Sequence, residues 1–149
     1  MSIRGSVAAT VRRSRATPKP AAFLKDERRD EASTVVACIG DSITAGNMSA
    51  DWVGMLDDRL RGRGYRFINA GVNGDLAWNV VQRLDDVIAC APDVVVLLIG
   101  TNDVMATYNE KAAASYRRQK RLPQTAITLE WYIENVSEVL GRLRAETDA

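Results

Sequence analysis

Three short segments rich in apolar residues stand out along the chain. They span Thr34–Ile39, Tyr65–Ala70 and Asp93–Ile99. Short, nearly continuous apolar runs are typical of strands that are buried on both faces of a parallel sheet. Gly40 and Gly100 end the first and the third of these segments. The pattern therefore predicts three strands of one sheet.

Three longer segments carry apolar residues at helical spacing. The first follows Ser49, which we expect to cap it, the second runs from Leu76 to a stop before Pro92, and the third begins near Thr128. The recurring apolar residues are Trp52, Val53, Leu56 and Leu60, then Leu76, Val80, Leu84 and Ile88, and finally Ile133, Val136, Leu140 and Leu143. Strands and helices alternate, which predicts an α/β domain whose parallel sheet is built by right-handed crossovers.

Two parts of the chain fall outside this alternation. Residues 104–126 are polar and rich in Lys and Arg, and the pattern leaves open whether Ala112–Lys120 forms a short helix. Residues 1–25 hold six basic residues and no acidic one. We interpret residues 1–32 as a solvated, disordered leader and linker rather than as a nucleic-acid-binding arm or a transit peptide, and we expect the folded domain to span 33–149.

Composition and charge narrow the class of protein. The chain has 149 residues, of which 46% are hydrophobic and 26% charged, and its net charge is +1. These values are ordinary for one globular domain and give no general attraction to nucleic acid or to a membrane surface. No apolar run is long enough for a signal peptide or a membrane span, so we expect a cytoplasmic protein. Cys38 and Cys90 are predicted to be core thiols, although a disulfide between them stays open.

The loop after the first predicted strand carries the strongest candidate for chemistry. It reads Gly40-Asp-Ser-Ile-Thr-Ala-Gly46, so Ser42 lies on a tight turn between a strand and a helix. A serine in this position can present its hydroxyl and its own backbone N–H to the same crevice, which suits a nucleophile that also stabilises an oxyanion. The alternative is that Asp41 and Ser42 only form a turn and a helix cap.

The loops after the second and third predicted strands add two further candidates. Gly74 lies in Gly71-Val-Asn-Gly74, where glycine lets backbone N–H groups approach a ligand. Asn102 lies in Gly100-Thr-Asn-Asp103, and its amide could donate to an oxyanion or could simply bond its own backbone. All three loops leave the carboxyl ends of parallel strands, where open α/β sheets bind their ligands.

Taken together, these blocks resemble the GDSL or SGNH hydrolase family of esterases and lipases over about residues 34–145. The matching residues are Gly40, Asp41, Ser42 and Ile43 in the first block, Gly74 in the second, and Gly100, Thr101, Asn102 and Asp103 in the third. The resemblance implies a three-layer α/β/α sandwich with a parallel, flavodoxin-like sheet. It also implies that the family's fold is incomplete at the C-terminus of this chain.

The resemblance further implies roles for individual residues. Ser42 would be the nucleophile, and the backbone N–H groups of Ser42 and Gly74 would form the oxyanion hole with the Asn102 side chain. Asp41 and Asp103 would organise the loops. Members of the family hydrolyse carboxylic esters of small molecules through an acyl-enzyme, which needs no cofactor and no metal.

One departure from the family affects activity directly, because the chain contains no histidine. In the family a C-terminal block supplies an aspartate and the histidine that activates the serine. Without an adjacent base a serine hydroxyl is a poor nucleophile, so we expect almost no turnover by this chain alone. Lys111 and Lys120 are poor substitutes, because they lie in a polar segment with no sign of burial.

Two other classes of function were weighed against an ester hydrolase. A binding module of the same fold would hold an ester or a carbohydrate without turning it over. A nucleotide-binding domain fits poorly, because no glycine-rich phosphate loop follows any predicted strand.

We also expect the chain to be less stable than a longer relative, because the third strand lacks a neighbour. The sequence does not identify the ester or the oligomeric state.

Overall fold

A computed structural model describes residues 16–27, 34–123 and 127–149 of the chain. Its centre is a parallel sheet of three strands in the order β2-β1-β3. The strands are β1 (Thr34–Gly40), β2 (Tyr65–Gly71) and β3 (Val94–Leu98). Gly40, the last residue of β1, is in register with the last residues of both neighbours. The three loops that follow the strands therefore leave the sheet at one edge.

Helices cover both faces of this sheet. They are α1 (Pro20–Phe23), α2 (Ser42–Ala45), α3 (Trp52–Leu60), α4 (Ala77–Gln82), α5 (Leu84–Ile88), α6 (Thr101–Tyr108), α7 (Glu110–Lys120) and α8 (Leu129–Glu146). A 3₁₀ turn (Arg61–Arg63) follows α3. The predicted α/β/α sandwich with a parallel sheet is confirmed.

Alternation along β1 sends side chains into two separate cores, because successive residues of a strand point to opposite faces. Val36 and Cys38 pack with Val53 of α3 on one face. Ala37 and Ile39 pack on the other face with the apolar residues of α4, α5 and α8. A strand buried on both sides in this way explains the nearly continuous apolar run in the sequence.

Two predictions about helices were wrong in detail. Asp51, and not Ser49, caps α3, because the Asp51 carboxylate accepts a hydrogen bond from the backbone N–H of Gly54. The Ser49 hydroxyl instead donates to the Ile43 carbonyl. The segment 76–88 is not one helix but two, α4 and α5, which meet at Arg83.

The polar segment after β3 is more regular than the sequence suggested. The pattern left open whether residues 112–120 form a helix, and the structure places them in α7, which α6 precedes. Helix α8 begins after Thr128, as predicted, but a different set of its residues faces the core. Ile133 and Leu140 were expected to lie on its packed side, yet they are 52% and 40% exposed. The buried residues of α8 are Trp131, Asn135, Val139 and Leu143.

Part of the predicted leader packs against the sheet. Residues 16–27 include α1, and Phe23 is buried with Ile68 and Cys90. The rest of the predicted leader and linker lies outside the described residues, and the domain boundary at residue 33 stays a prediction. Cys38 and Cys90 are both buried free thiols. Across the described ranges, the model contains no helix with the length and hydropathy needed to cross a bilayer.

Candidate functional site

The first loop places Ser42 at the beginning of α2. Asp41 caps this helix through a 2.9 Å hydrogen bond from the Ile43 backbone N–H to its carboxylate. Asp41 is buried, whereas Ser42 is partly exposed. Gly40 has no room for a side chain, because a Cβ there would lie 2.3 Å from the Leu98 carbonyl oxygen. The turn that presents Ser42 therefore depends on close packing between β1 and β3.

The second loop brings Gly74 to the same edge of the sheet. Gly74 has φ +71°, a left-handed conformation that glycine adopts without strain. The next residue, Asp75, is buried and forms ion pairs with Arg83 and Lys120, both at 2.8 Å. Arg83 also donates to the Gly40 carbonyl. This arrangement links the second loop to the first through Arg83, the residue at which α4 and α5 meet.

The third loop carries Asn102 into contact with both of the others. Its Nδ2 donates to the Asp75 carbonyl at 2.8 Å and lies 3.4 Å from Oδ2 of Asp41. Asn102 is 8% exposed, so its amide is buried where the three loops meet. The structure thus brings together the loops of Ser42, Gly74 and Asn102, which are distant in the sequence.

Two backbone N–H groups in these loops have no acceptor among the described residues. Within residues 34–123 neither the Ser42 nor the Gly74 backbone N–H donates a hydrogen bond. Both N–H groups belong to partly exposed residues of loops that Asn102 contacts. They could bind an oxygen atom that carries negative charge.

Asp103 anchors the start of α4. Its carboxylate accepts hydrogen bonds from the Ala77 backbone N–H at 3.2 and 3.3 Å. Burial raises the pKa of Asp103 to about 6, and the nearby Asp41 carboxylate adds to the shift. Asp41 and Asp103 therefore hold the loops in place, as the sequence suggested.

The sequence analysis missed Tyr116 and considered Lys120 only as a substitute base. Tyr116 donates a 2.7 Å hydrogen bond to Oδ1 of Asn102, and Lys120 donates to the carbonyl of Asn73 and to Asp75. Both belong to α7, which the sequence left unassigned in part. Ala113, Tyr116 and Lys120 lie three and four positions apart, so they share one helical face. That spacing was the available signal.

Ser42 has no base beside it in the described part of the chain. Its hydroxyl forms no hydrogen bond within residues 34–123. Lys120 is partly buried, contrary to our expectation, but its ammonium group is engaged by Asp75 and Asn73. Lys111 is exposed. Over the described residues, no three side chains of His, Cys, Asp and Glu gather as a metal site would require.

Comparison with known proteins finds one matching family and solved structures of similar fold. The sequence model of the GDSL-like lipase/acylhydrolase family matches residues 38–149. Among solved structures, the SGNH-hydrolase family esterase AlinE4 is 26% identical, with a TM-score of 0.55 over 76% of this chain. The acetylxylan esterase Axe2 from Geobacillus stearothermophilus is 24% identical, with a TM-score of 0.60 over 79% of the chain. No curated protein matches the sequence.

The two structures are considerably longer than this chain. The chain covers 54% of AlinE4 and 57% of Axe2. It therefore spans little more than half of the fold that these proteins contain.

Proposed function

Because the chain belongs to the GDSL-like lipase/acylhydrolase family, we propose that its three strand-end loops form the nucleophile and oxyanion hole of a carboxylic ester hydrolase. Ser42 is the nucleophile in this proposal. The backbone N–H groups of Ser42 and Gly74 and the Asn102 amide bind the oxyanion. The observation that carries the proposal is the contact of Asn102 with the residues adjoining Ser42 and Gly74, at 3.4 and 2.8 Å.

The reaction would proceed through an acyl-enzyme. Ser42 Oγ forms a bond to the ester carbonyl carbon, and the carbonyl oxygen becomes an oxyanion bound by the three donors. The alcohol leaves with a proton, and water then releases the acid. One Nδ2 hydrogen of Asn102 is held by the Asp75 carbonyl, and the other has only the long contact with Asp41. The second hydrogen is therefore the one available to an oxyanion.

The proton of Ser42 needs an acceptor that this chain does not supply. The chain has no histidine, and Lys120 is committed to Asp75. General base catalysis contributes about 10²–10⁴ in rate. We therefore expect the chain alone to turn over esters very slowly, and we expect a small base from solution to accelerate acylation of Ser42.

The test is covalent modification of Ser42 by a fluorophosphonate, with and without imidazole. In this reaction the Ser42 Oγ–P bond forms, the P–F bond breaks, and the base in solution takes the proton. Intact mass and peptide mapping should locate one adduct on Ser42, formed faster as imidazole increases. Ser42→Ala should abolish the adduct, whereas Ser137→Ala, at an exposed serine of α8, should leave it unchanged.

The same experiment separates a hydrolase site from a binding module. An adduct spread over several serines, or none on Ser42 at any imidazole concentration, would contradict the proposal. Saturable binding of an ester or an acetylated sugar without modification of Ser42 would favour a module that binds and does not react. Because the chain contains no histidine, a module that binds without reacting is the second candidate function.

A further inference from the structure

We propose that helix α7 is a clamp on the oxyanion hole, in which Tyr116 is the positioning residue for the Asn102 amide and Lys120 is the positioning residue for the Gly74 loop. The inference rests on the proposed function of Ser42 and extends it to a helix outside the three strand-end loops.

Helix α7 touches the domain along one narrow face. Ala113 is its only buried residue, and Asn109 caps the helix through a hydrogen bond from the Ala112 backbone N–H. Tyr116 and Lys120 follow Ala113 on the same side, one turn apart. The packed face of this polar helix is therefore made largely of the two side chains that reach the site.

Tyr116 determines which end of the Asn102 amide faces the crevice. A primary amide can rotate by 180° and exchange its oxygen and nitrogen, and only its partners select one orientation. Here the Tyr116 hydroxyl donates to Oδ1 at 2.7 Å, and the Asp75 carbonyl accepts from Nδ2 at 2.8 Å. An amide turned the other way would place two oxygen atoms against each other at Asp75.

Tyr116 keeps its proton, so its hydroxyl remains a donor. Burial raises the pKa of Tyr116, and the carboxylates of Asp41 and Asp103 raise it further. A phenol in this environment holds its proton throughout the neutral range. The hydrogen bond from Tyr116 to Asn102 therefore persists at neutral pH.

Lys120 holds the Gly74 loop from both sides of the glycine. Its ammonium group donates to the carbonyl of Asn73 and to the carboxylate of Asp75. A Cβ on Gly74 would lie 3.1 Å from Cε of Lys120, so the lysine side chain lies directly against this residue. Two anchors on adjoining residues fix the direction of the Gly74 backbone N–H.

The test compares two variants with two matched controls in the full chain. Tyr116→Phe removes only the hydroxyl, and Lys120→Met removes the charge but keeps most of the side-chain volume. Tyr108→Phe and Lys111→Met make the same changes at exposed positions, 87% exposed in the case of Tyr108. The measured quantity is the rate constant for fluorophosphonate modification of Ser42 in imidazole, well below the melting temperature of each variant.

Misplacement of one oxyanion donor should slow the reaction markedly. We expect a loss of roughly tenfold or more for Tyr116→Phe and for Lys120→Met, because small displacements of catalytic groups cost up to about 10²-fold. The two controls should react like the parent. Equal rates in all five proteins would overturn the proposal.

A double-variant comparison distinguishes positioning from general stabilisation. If Tyr116 acts through Asn102, Tyr116→Phe should have no further effect on the rate in an Asn102→Ala background. A residue with a purely structural role would cost the same in both backgrounds. An additive loss would therefore contradict the role assigned to Tyr116.

A second readout does not depend on reactivity. The side-chain amide signals of Asn102, identified by their loss in Asn102→Ala, should shift and exchange faster with solvent in Tyr116→Phe but not in Tyr108→Phe. If the parent shows no adduct on Ser42 but the Asn102 signals respond in this way, the clamp stands and the hydrolase proposal fails. Unchanged signals in Tyr116→Phe would reject the clamp.

Discussion

The two outer strands of the sheet have opposite surroundings. Residues 16–27 cover β2: the Pro18 carbonyl accepts a hydrogen bond from the Asn69 backbone N–H, and Phe23 packs on Ile68. Asp26 adds an ion pair with Arg66 of β2, at 2.8 Å. The backbone and both side-chain faces of β2 thus have partners.

No such cover lies over β3 in the described residues. Val94, Val96 and Leu98 are 40–44% exposed, although their register neighbours on β1 are buried. Ile133 and Leu140 of α8 are also exposed apolar residues. The two outer strands of one sheet therefore differ in burial according to what packs beside them among the described residues.

The largest expected effect concerns the covered strand. Phe23→Ala should lower the free energy of unfolding by about 3–5 kcal/mol, because a buried aromatic ring is lost and a cavity is left. Phe23 is 2% exposed. Urea unfolding followed by tryptophan fluorescence would measure the change. Tyr108→Ala, at an exposed ring, is the control, and an equal cost for the two substitutions would show that residues 16–27 do not stabilise β2.

A pH effect should arise on the open side. Burial raises the pKa of Asp103 to about 6 in the folded chain, against 3.8 for a free carboxyl. A raised pKa means that the folded state favours protonated Asp103. The resulting contribution to the free energy of unfolding is fully present below pH 4 and is lost as the pH rises through 6. The loss should be roughly 2–3 kcal/mol.

Asp103→Asn tests this expectation by removing the titrating group while keeping an oxygen for the Ala77 N–H. Unfolding free energies measured from pH 3.5 to 7 should fall more steeply in the parent than in the variant. Parallel curves for the two proteins would contradict the assignment. Asp57, which is buried on the side of β2, forms an ion pair with Arg61. Among the described residues, Asp103 has no such ion pair.

The smallest change in stability should come from the exposed strand. Val96→Thr should alter the free energy of unfolding by no more than about 0.5 kcal/mol, because exposed positions tolerate substitution. The same change at Val36, which is 5% exposed, buries a hydroxyl and should cost about 1–3 kcal/mol. A cost at position 96 as large as that at position 36 would mean that β3 is covered.

The sequence was most informative for the strands, which were predicted to within a residue or two from their apolar runs. The expectation of burial on both faces is confirmed for β1 but was wrong for β3, of which one face is exposed. The three loops with Ser42, Gly74 and Asn102 were predicted to meet, and the hydrogen bonds of Asn102 bring them together. The functional roles of these residues remain proposals.

The sequence was least informative where one tertiary contact decides the structure. Arg83 lies between α4 and α5, where its side chain reaches Asp75 and Gly40, and nothing in the local pattern shows those partners. Ile133 and Leu140 fit the helical spacing of α8 but are exposed. Periodicity identifies apolar residues on a helix, but it does not say which neighbour is there to cover them.

The open flank of β3 also bears on how long the folded chain would persist in a cell. Five consecutive aliphatic residues, Val94–Leu98, stay partly accessible after folding is complete. Chaperones and proteases recognise accessible aliphatic segments of this kind as a sign of an unfinished protein. We therefore expect cellular turnover of this chain to follow the accessibility of that flank more closely than the free energy of its fold.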